Sequence, residues 1–312
     1  MENNYEIHFA PLQGYTDLIY RNAFDAYFGN VDAYYTPFIR VEKDGRFRNK
    51  DVRELDRQDN KVLNLIPQIL PGSSEEFRIL MELAGEKGYR RVDINLGCPF
   101  PMIAGKKKGA GMLPYPELVK DVLAPVSEYP DFDFSLKMRL GWENSDECLF
   151  LADIINGLRF SHVTVHARIG KQQYKGNTDP RAFERFQEVC SHPLFYNGDI
   201  TTVEQIHDIL SSFPRLRGVM IGRGLLSSPF LAAEFKKNEL CPEKSRQERL
   251  KSFHEALFSA YSGHLQGDSQ LLTKMKSLWD YFLPDADRKA LKKIKKSGKI
   301  TDYTSAVGQI LK

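Results

Sequence analysis

The side chains best placed to do chemistry in this chain gather at the ends of four short apolar runs. Val92-Asp-Ile-Asn-Leu-Gly-Cys-Pro99 stops on a cysteine. Side chains alternate along an extended strand, so Val92, Ile94 and Leu96 share one face and Asp93 and Asn95 the other. The run 134–140 groups Ser135, Lys137 and Arg139, and the run 162–168 groups Thr164, His166 and Arg168. The run 194–200 places Asn197 and Asp199 near its end. Polar groups on one strand face usually mean solvent. Ionisable groups repeated at the ends of several strands mean a site.

Each group permits definite chemistry. Cys98 is a nucleophile, a proton donor or a small buried hydrophobe. Its neighbours Gly97 and Pro99, its place at a strand end and the loop Phe100-Pro-Met-Ile-Ala-Gly-Lys-Lys-Lys-Gly-Ala-Gly111 behind it favour the first two. Lys106–Lys108 has no Ser or Thr after a Gly-Lys pair, so it is no Walker loop. A flexible basic loop there meets a polyanion or closes over the site. Lys137, with Gln68 and His166 on neighbouring walls, suits a ring that gains negative charge on reduction. An interior ion pair with Asp93 or Asp199 is the competing role. Gly222-Arg223-Gly224 closes the run Gly218–Ile221, next to Asn197-Gly198-Asp199. Glycine backbone and one arginine suit a phosphate; tight turns and a surface arginine are the alternative.

These residues need a scaffold that brings strand ends together. Eight apolar runs (7–12, 32–39, 65–70, 92–96, 134–140, 162–168, 194–200 and 218–221) begin 24 to 42 residues apart. Helical segments lie between them at 74–87, 116–127, 147–158, 180–189 and 202–211, with cap-like Ser74 and Thr201-Thr202. Eight such units predict an α/β chain folded as a (β/α)8 TIM barrel, whose catalytic groups sit at the C-terminal strand ends. A doubly wound dinucleotide fold needs G-x-G-x-x-G in its first turn; here that turn is Ala10-Pro-Leu-Gln-Gly-Tyr-Thr-Asp17. After Phe235 the strand pattern stops. A linker at 236–244 leads to helices at 245–264, 270–282, 287–296 and 302–311, the core of a small all-helical C-terminal domain. The stripes Leu250, Phe253, Leu257, Tyr261 and Leu271, Met275, Leu278, Trp279 read as that core. We expect a catalytic barrel over 1–240 and a helical domain over 241–312.

Composition bounds the rest. An apolar content of 42 % in 312 residues supports a large core. The polar, acidic start is no signal peptide, and no apolar run approaches the roughly 18 residues of a membrane helix. Cys98, Cys148, Cys190 and Cys241 show neither C-x-x-C nor metal-ligand spacing, as expected of a reduced cytoplasmic protein without a metal. Net charge is only +3, but residues 236–312 hold 16 Lys or Arg against 9 Asp or Glu. Such a tail suits a polyanionic partner or presents a solvated helix face.

Taken together the motifs resemble the tRNA-dihydrouridine synthases, flavoprotein reductases of uridines in tRNA. The resemblance runs in order through Ala10–Asp17, Asn95-Leu-Gly-Cys-Pro99, Gly109-Ala-Gly111, Lys137-Met-Arg-Leu-Gly141, Val165-His-Ala-Arg168 with Gln173-Tyr-Lys-Gly176, Asn197-Gly-Asp199 and Met220-Ile-Gly-Arg-Gly224. Leu12-Gln13 stands where the family commonly has Met-Glu. The resemblance implies FMN at the barrel mouth, with Ala10, Pro11 and Leu12 along the ring and Gln68, Lys137 and His166 at its polar edge. It puts Asn197, Gly198, Asp199, Gly222 and Arg223 at the ribityl phosphate. NADPH as transient donor reduces the flavin, hydride passes from N5 to uracil C6, and Cys98 protonates C5. Asn95, Arg139, Arg168 and Tyr174 match substrate positions. The target base must be extruded from the folded RNA. Candidate tRNA contacts in the tail are Lys274, Lys276, Arg288, Lys289, Lys292, Lys293, Lys295 and Lys296. The tail leans toward the bacterial C-type enzymes, and a monomer suffices. The rival activity is an FMN-dependent barrel reductase of a free small molecule, of dihydroorotate or enoate type.

Overall fold

The computed structural model describes residues 4–42 and 45–312. Nine short strands are all parallel: β1 (Glu6–Phe9), β2 (Ala33–Tyr35), β3 (Leu65–Ile66), β4 (Gln68–Ile69), β5 (Arg91–Leu96), β6 (Asp133–Gly141), β7 (His162–Ile169), β8 (Leu194–Asn197) and β9 (Gly218–Ile221). Their lateral order is β3-β2-β1-β9-β8-β7-β6-β5-β4. The two edges, β3 and β4, are halves of one run interrupted by Pro67. Proline cannot donate to a ladder, so the run turns there from one neighbour to the other. Leu65 and Ile66 pair with β2, Gln68 and Ile69 with β5, and the Pro67 carbonyl accepts the Asp93 amide at 2.8 Å. The eight predicted walls therefore close into a barrel with helices around it.

Several strands are shorter than their apolar runs. β1 stops at Phe9, which releases Ala10-Pro11-Leu12 to form a wall at the mouth. β8 stops at Asn197, because Gly198 and Asp199 take φ of +144° and +45°. Outward faces such as Val92, Ile94, Leu96 and Val163, Val165 are fully buried under helices. The barrel floor is filled by His8, Tyr35, His162 and Phe195. His8 stacks on Phe195 at 4.1 Å, and the Tyr35 hydroxyl lies 2.9 Å from His8 Nδ1 and 3.1 Å from His162 Nε2.

Helices follow the predicted segments with shifted ends. Pro180–Val189 forms as expected, and Ser74–Glu86 is capped by Ser73 rather than Ser74, Ser73 Oγ accepting the Glu76 amide. Thr202 caps Val203–Ser212 in a reciprocal box with Gln205. The segment 147–158 breaks into Glu147–Phe150 and Ala152–Asn156. Leu18–Tyr27 and Leu231–Lys237 were not predicted, and the second shortens the linker. The loop after Cys98 is also better ordered than a flexible basic loop. It folds as Pro101–Ala104 and a 3-10 turn Gly109–Met112, with Lys108 Nζ bound 2.6 Å from both Glu76 carboxylate oxygens.

The last helices are Glu243–His264, Gly267–Leu278, Arg288–Lys296 and Ile300–Val307. Phe253 packs edge-on against Tyr20 and Phe28 of the barrel, at 5.6 and 5.0 Å. Asp17 caps Leu18–Tyr27 and also accepts from Tyr261 Oη at 2.7 Å and Lys274 Nζ at 2.6 Å. Among the described residues no helix is long and apolar enough to cross a membrane.

Candidate active site

Two cavities of about 450 and 440 Å3 open at the C-terminal strand ends. They share Pro11, Leu12, Lys137, His166, Tyr174 and Tyr281, so they are two arms of one site. The first arm runs over Ala10, Asn197, Gly198, Asp199, Gly222, Arg223 and Gly224. The second holds Gln68, Asn95, Cys98, Phe100 and Arg139.

The first arm suits a flat ring carrying an anionic tail. A Cβ on Gly222 would lie 3.2 Å from Leu12 Cδ1 and 3.4 Å from Ala10 Cβ, so glycine keeps that approach open. Asp199 draws Arg223 Nη2 in at 2.8 Å and also pairs with Arg168. Lys137 Nζ donates to Asn197 Oδ1 at 3.2 Å, and Asn197 Nδ2 donates to the Met220 carbonyl at 2.7 Å. The competing role for Lys137, an ion pair with Asp93 or Asp199, is not the one it takes. Asp93 instead accepts from Gln68 Nε2 at 2.7 Å and Ser135 Oγ at 2.6 Å, while Asp199 serves the two arginines. Burial lowers the Lys137 pKa, and Arg139 lowers it further. Burial first, then Arg139, Lys137, Arg168 and Arg223, holds His166 well below its ordinary pKa, so it is a neutral imidazole.

The second arm is built around Cys98. Asn95 Oδ1 accepts the Gly97 and Cys98 amides at 3.0 and 2.9 Å, and Asn95 Nδ2 donates to Gln68 Oε1 at 2.7 Å. Arg139 donates from Nε to the Gly97 carbonyl at 3.0 Å and from Nη1 to that of Ile169 at 3.0 Å. These contacts fix where β5 releases the cysteine. Burial raises the thiol pKa, so Cys98 is a protonated thiol rather than a thiolate. Tyr174, half exposed, lies beneath two guanidinium groups, with Arg223 4.7 Å and Arg139 5.5 Å from its ring centre.

The remaining expected residues fall elsewhere. Arg168 lines neither arm; its guanidinium is buried on Asp199, the Gly176 carbonyl and His166. Lys274 is bound at the seam to Asp17 and the Gly14 carbonyl, and Lys276 donates to the Ser297 carbonyl. Arg288, Lys289, Lys292, Lys293, Lys295 and Lys296 are exposed on one helix. Tyr281, Asp280 and Pro284 of the tail line the site and were not foreseen, since a helical stripe carries no sign of where its end will touch.

Residues 8–304 match the family model described as dihydrouridine synthase (Dus). The chain belongs to the dihydrouridine synthase family. It is a flavin-dependent oxidoreductase. The "tRNA-dihydrouridine(16) synthase" of Pseudomonas syringae pv. tomato is 31 % identical over 73 % of this chain and 74 % of its own. The "tRNA-dihydrouridine synthase B" of Pasteurella multocida is 28 % identical over 72 % and 67 %. Solved structures share the fold alone. A variant of NCR from Zymomonas mobilis reaches a TM-score of 0.54 at 14 % identity over 76 % of this chain and 88 % of that one. Morphinone reductase reaches 0.55 at 9 % over 75 % and 86 %. This dihydrouridine synthase therefore has the expected TIM barrel followed by helices.

Proposed function

We propose that this dihydrouridine synthase reduces the C5=C6 bond of a D-loop uridine in tRNA, using FMN in the first arm and NADPH as electron donor. The observation that carries the reading is a backbone-anchored cysteine in the same site as the half-buried Lys137 amine and the His166 imidazole. Bound FMN, once reduced by NADPH, supplies the hydride that uracil C6 accepts. Pro11 and Leu12 would flank its ring, Lys137 would face its electron-rich edge, and Asn197, Gly198, Gly222 and Arg223 would hold its phosphate end. Cys98 Sγ delivers the proton that saturates C5, and solvent then restores the thiol. That task needs the neutral form, which burial maintains. Asn95 and Arg139 fix the cysteine backbone, and Tyr174 offers a ring against which the base can stack.

The helices over 241–312 serve as the tRNA-binding part. The exposed cations of Arg288–Lys296 give contacts to backbone phosphate, which offset the few kcal/mol of unstacking the target base. A free small molecule would leave this helix without a partner. The test incubates the enzyme with NADPH and unmodified tRNA and maps dihydrouridine by site. Product at a D-loop position supports the reading. Intact tRNA, with turnover on dihydroorotate or an enone, replaces it with the small-molecule reductase.

A further inference from the structure

The tail contributes to the catalytic pocket itself. Beyond Gly267–Leu278 the chain makes a tight turn in which consecutive side chains part company. Phe282 is buried in the tail, 5.3 Å from Trp279 and 6.0 Å from Phe253. Tyr281 instead faces the site, where it lines both arms. Leu283 completes the turn at φ +49°, a conformation that residues with a Cβ rarely adopt, and Pro284 follows. Such strain persists where surrounding contacts over-determine it. Those contacts come from both sides of the seam. Tyr15 of the barrel packs edge-on against Tyr281 at 5.0 Å and 71°, and donates from its hydroxyl to Asp280 Oδ2 at 3.2 Å. Asp280 Oδ1 in turn accepts from Lys295 Nζ at 3.0 Å.

We propose that Tyr281 is a positioning residue for the target uracil, so that the pocket is complete only with the tail in place. Tyr281 and Tyr174 are the two tyrosines at the junction of the arms. A base entering the second arm passes that junction, and a ring there offers it a stacking face and keeps water out. Phe282 anchors the turn and Tyr15 braces the Tyr281 ring edge-on, so the ring is held where it lines the pocket. The inference rests on tRNA uridine being the substrate.

Its test compares Tyr281→Ala and Tyr281→Phe with the wild type, each as the flavin-loaded full chain. Dihydrouridine formation on tRNA is measured alongside tRNA affinity, the flavin-to-protein ratio and the melting curve. The alanine variant should lose about 10- to 100-fold in kcat, the range of a lost base–aromatic stack. Its flavin ratio should stay within about twofold, and phenylalanine should recover most of the turnover, because the ring and not the hydroxyl acts. Unchanged kcat in Tyr281→Ala overturns the inference, as does a fall in flavin content that matches the fall in turnover. A wild-type enzyme that leaves tRNA uridines intact overturns the functional reading and this inference with it.

Discussion

At the scale of single residues, burial acts in opposite directions on two groups that share a pocket. It raises the Cys98 thiol pKa above the ordinary 9.0 and lowers that of the Lys137 ammonium below 10.5. Neutral thiol and charged amine must coexist for the proposed reaction, so Lys137 and not Cys98 sets the alkaline limit. We expect kcat for uridine reduction to fall as Lys137 loses its proton in mildly alkaline solution. Lys137→Arg, whose guanidinium keeps its charge, should move that fall to higher pH. A pH–rate profile of both proteins is the check, and coincident limbs would exclude Lys137 as their source. Cys98→Ala should lose roughly 100-fold or more in uridine reduction. Flavin content and flavin reduction by NADPH, followed at the visible absorption band, should persist, since Cys98 lines only the second arm. That Cys98, Lys137 and His166 line one cavity was legible because strand alternation and strand ends fix a side chain's direction. Arg168 was misleading for the same reason. It shares the inward parity of His166, but Asp199 bends back at φ +45° and captures its guanidinium.

At the scale of elements, the turn behind Cys98 decides how the thiol is presented. Gly109 sits at φ +56°, and a Cβ there would come within 2.8 Å of the Cys98 carbonyl oxygen. The neighbouring Ala110 amide donates to that same oxygen at 3.0 Å. Gly109→Ala therefore adds a left-handed conformation costing about 1–2 kcal/mol and pushes on the backbone of the proton donor. We expect a lower melting temperature and a several-fold loss of kcat at unchanged flavin content, read by calorimetry and a dihydrouridine assay. Equal kcat in the two proteins would mean that the turn is only a scaffold. The eight walls and most helices were legible from period and spacing. Their ends were not, because they depend on partners remote in sequence. Pro67 splits one strand between two neighbours, and the glycine-rich basic segment, which composition marks as a loop, is held down by Glu76 on Lys108.

At the scale of the whole molecule, the barrel and the tail meet through contacts that local pattern does not encode. Asp17 looked like the end of a flavin motif, yet it caps one helix and receives Tyr261 and Lys274 from two others. Lys274 is thereby drawn into the seam instead of lying open to solvent. The tail holds its shape through a buried triad. Trp279 Nε1 has only a proton to give, so Tyr303 Oη accepts it at 3.0 Å and must donate its own proton to His254 Nε2 at 2.7 Å. That bond requires neutral His254, and burial agrees by lowering its pKa from 6.5 to about 4. The unfolded chain protonates this histidine first, so its contribution to stability is intact above pH 6.5 and is lost as the pH falls toward about 4. Each pH unit in that window costs up to about 1.4 kcal/mol for one proton. His254→Gln should keep an acceptor for Tyr303 while removing the titration. Its unfolding free energy, measured in denaturant from pH 7 down through the window, should fall less steeply than the wild type's by up to one proton. Parallel slopes would show that His254 already carries a proton in the fold, and with it that the tail is assembled on some other set of contacts.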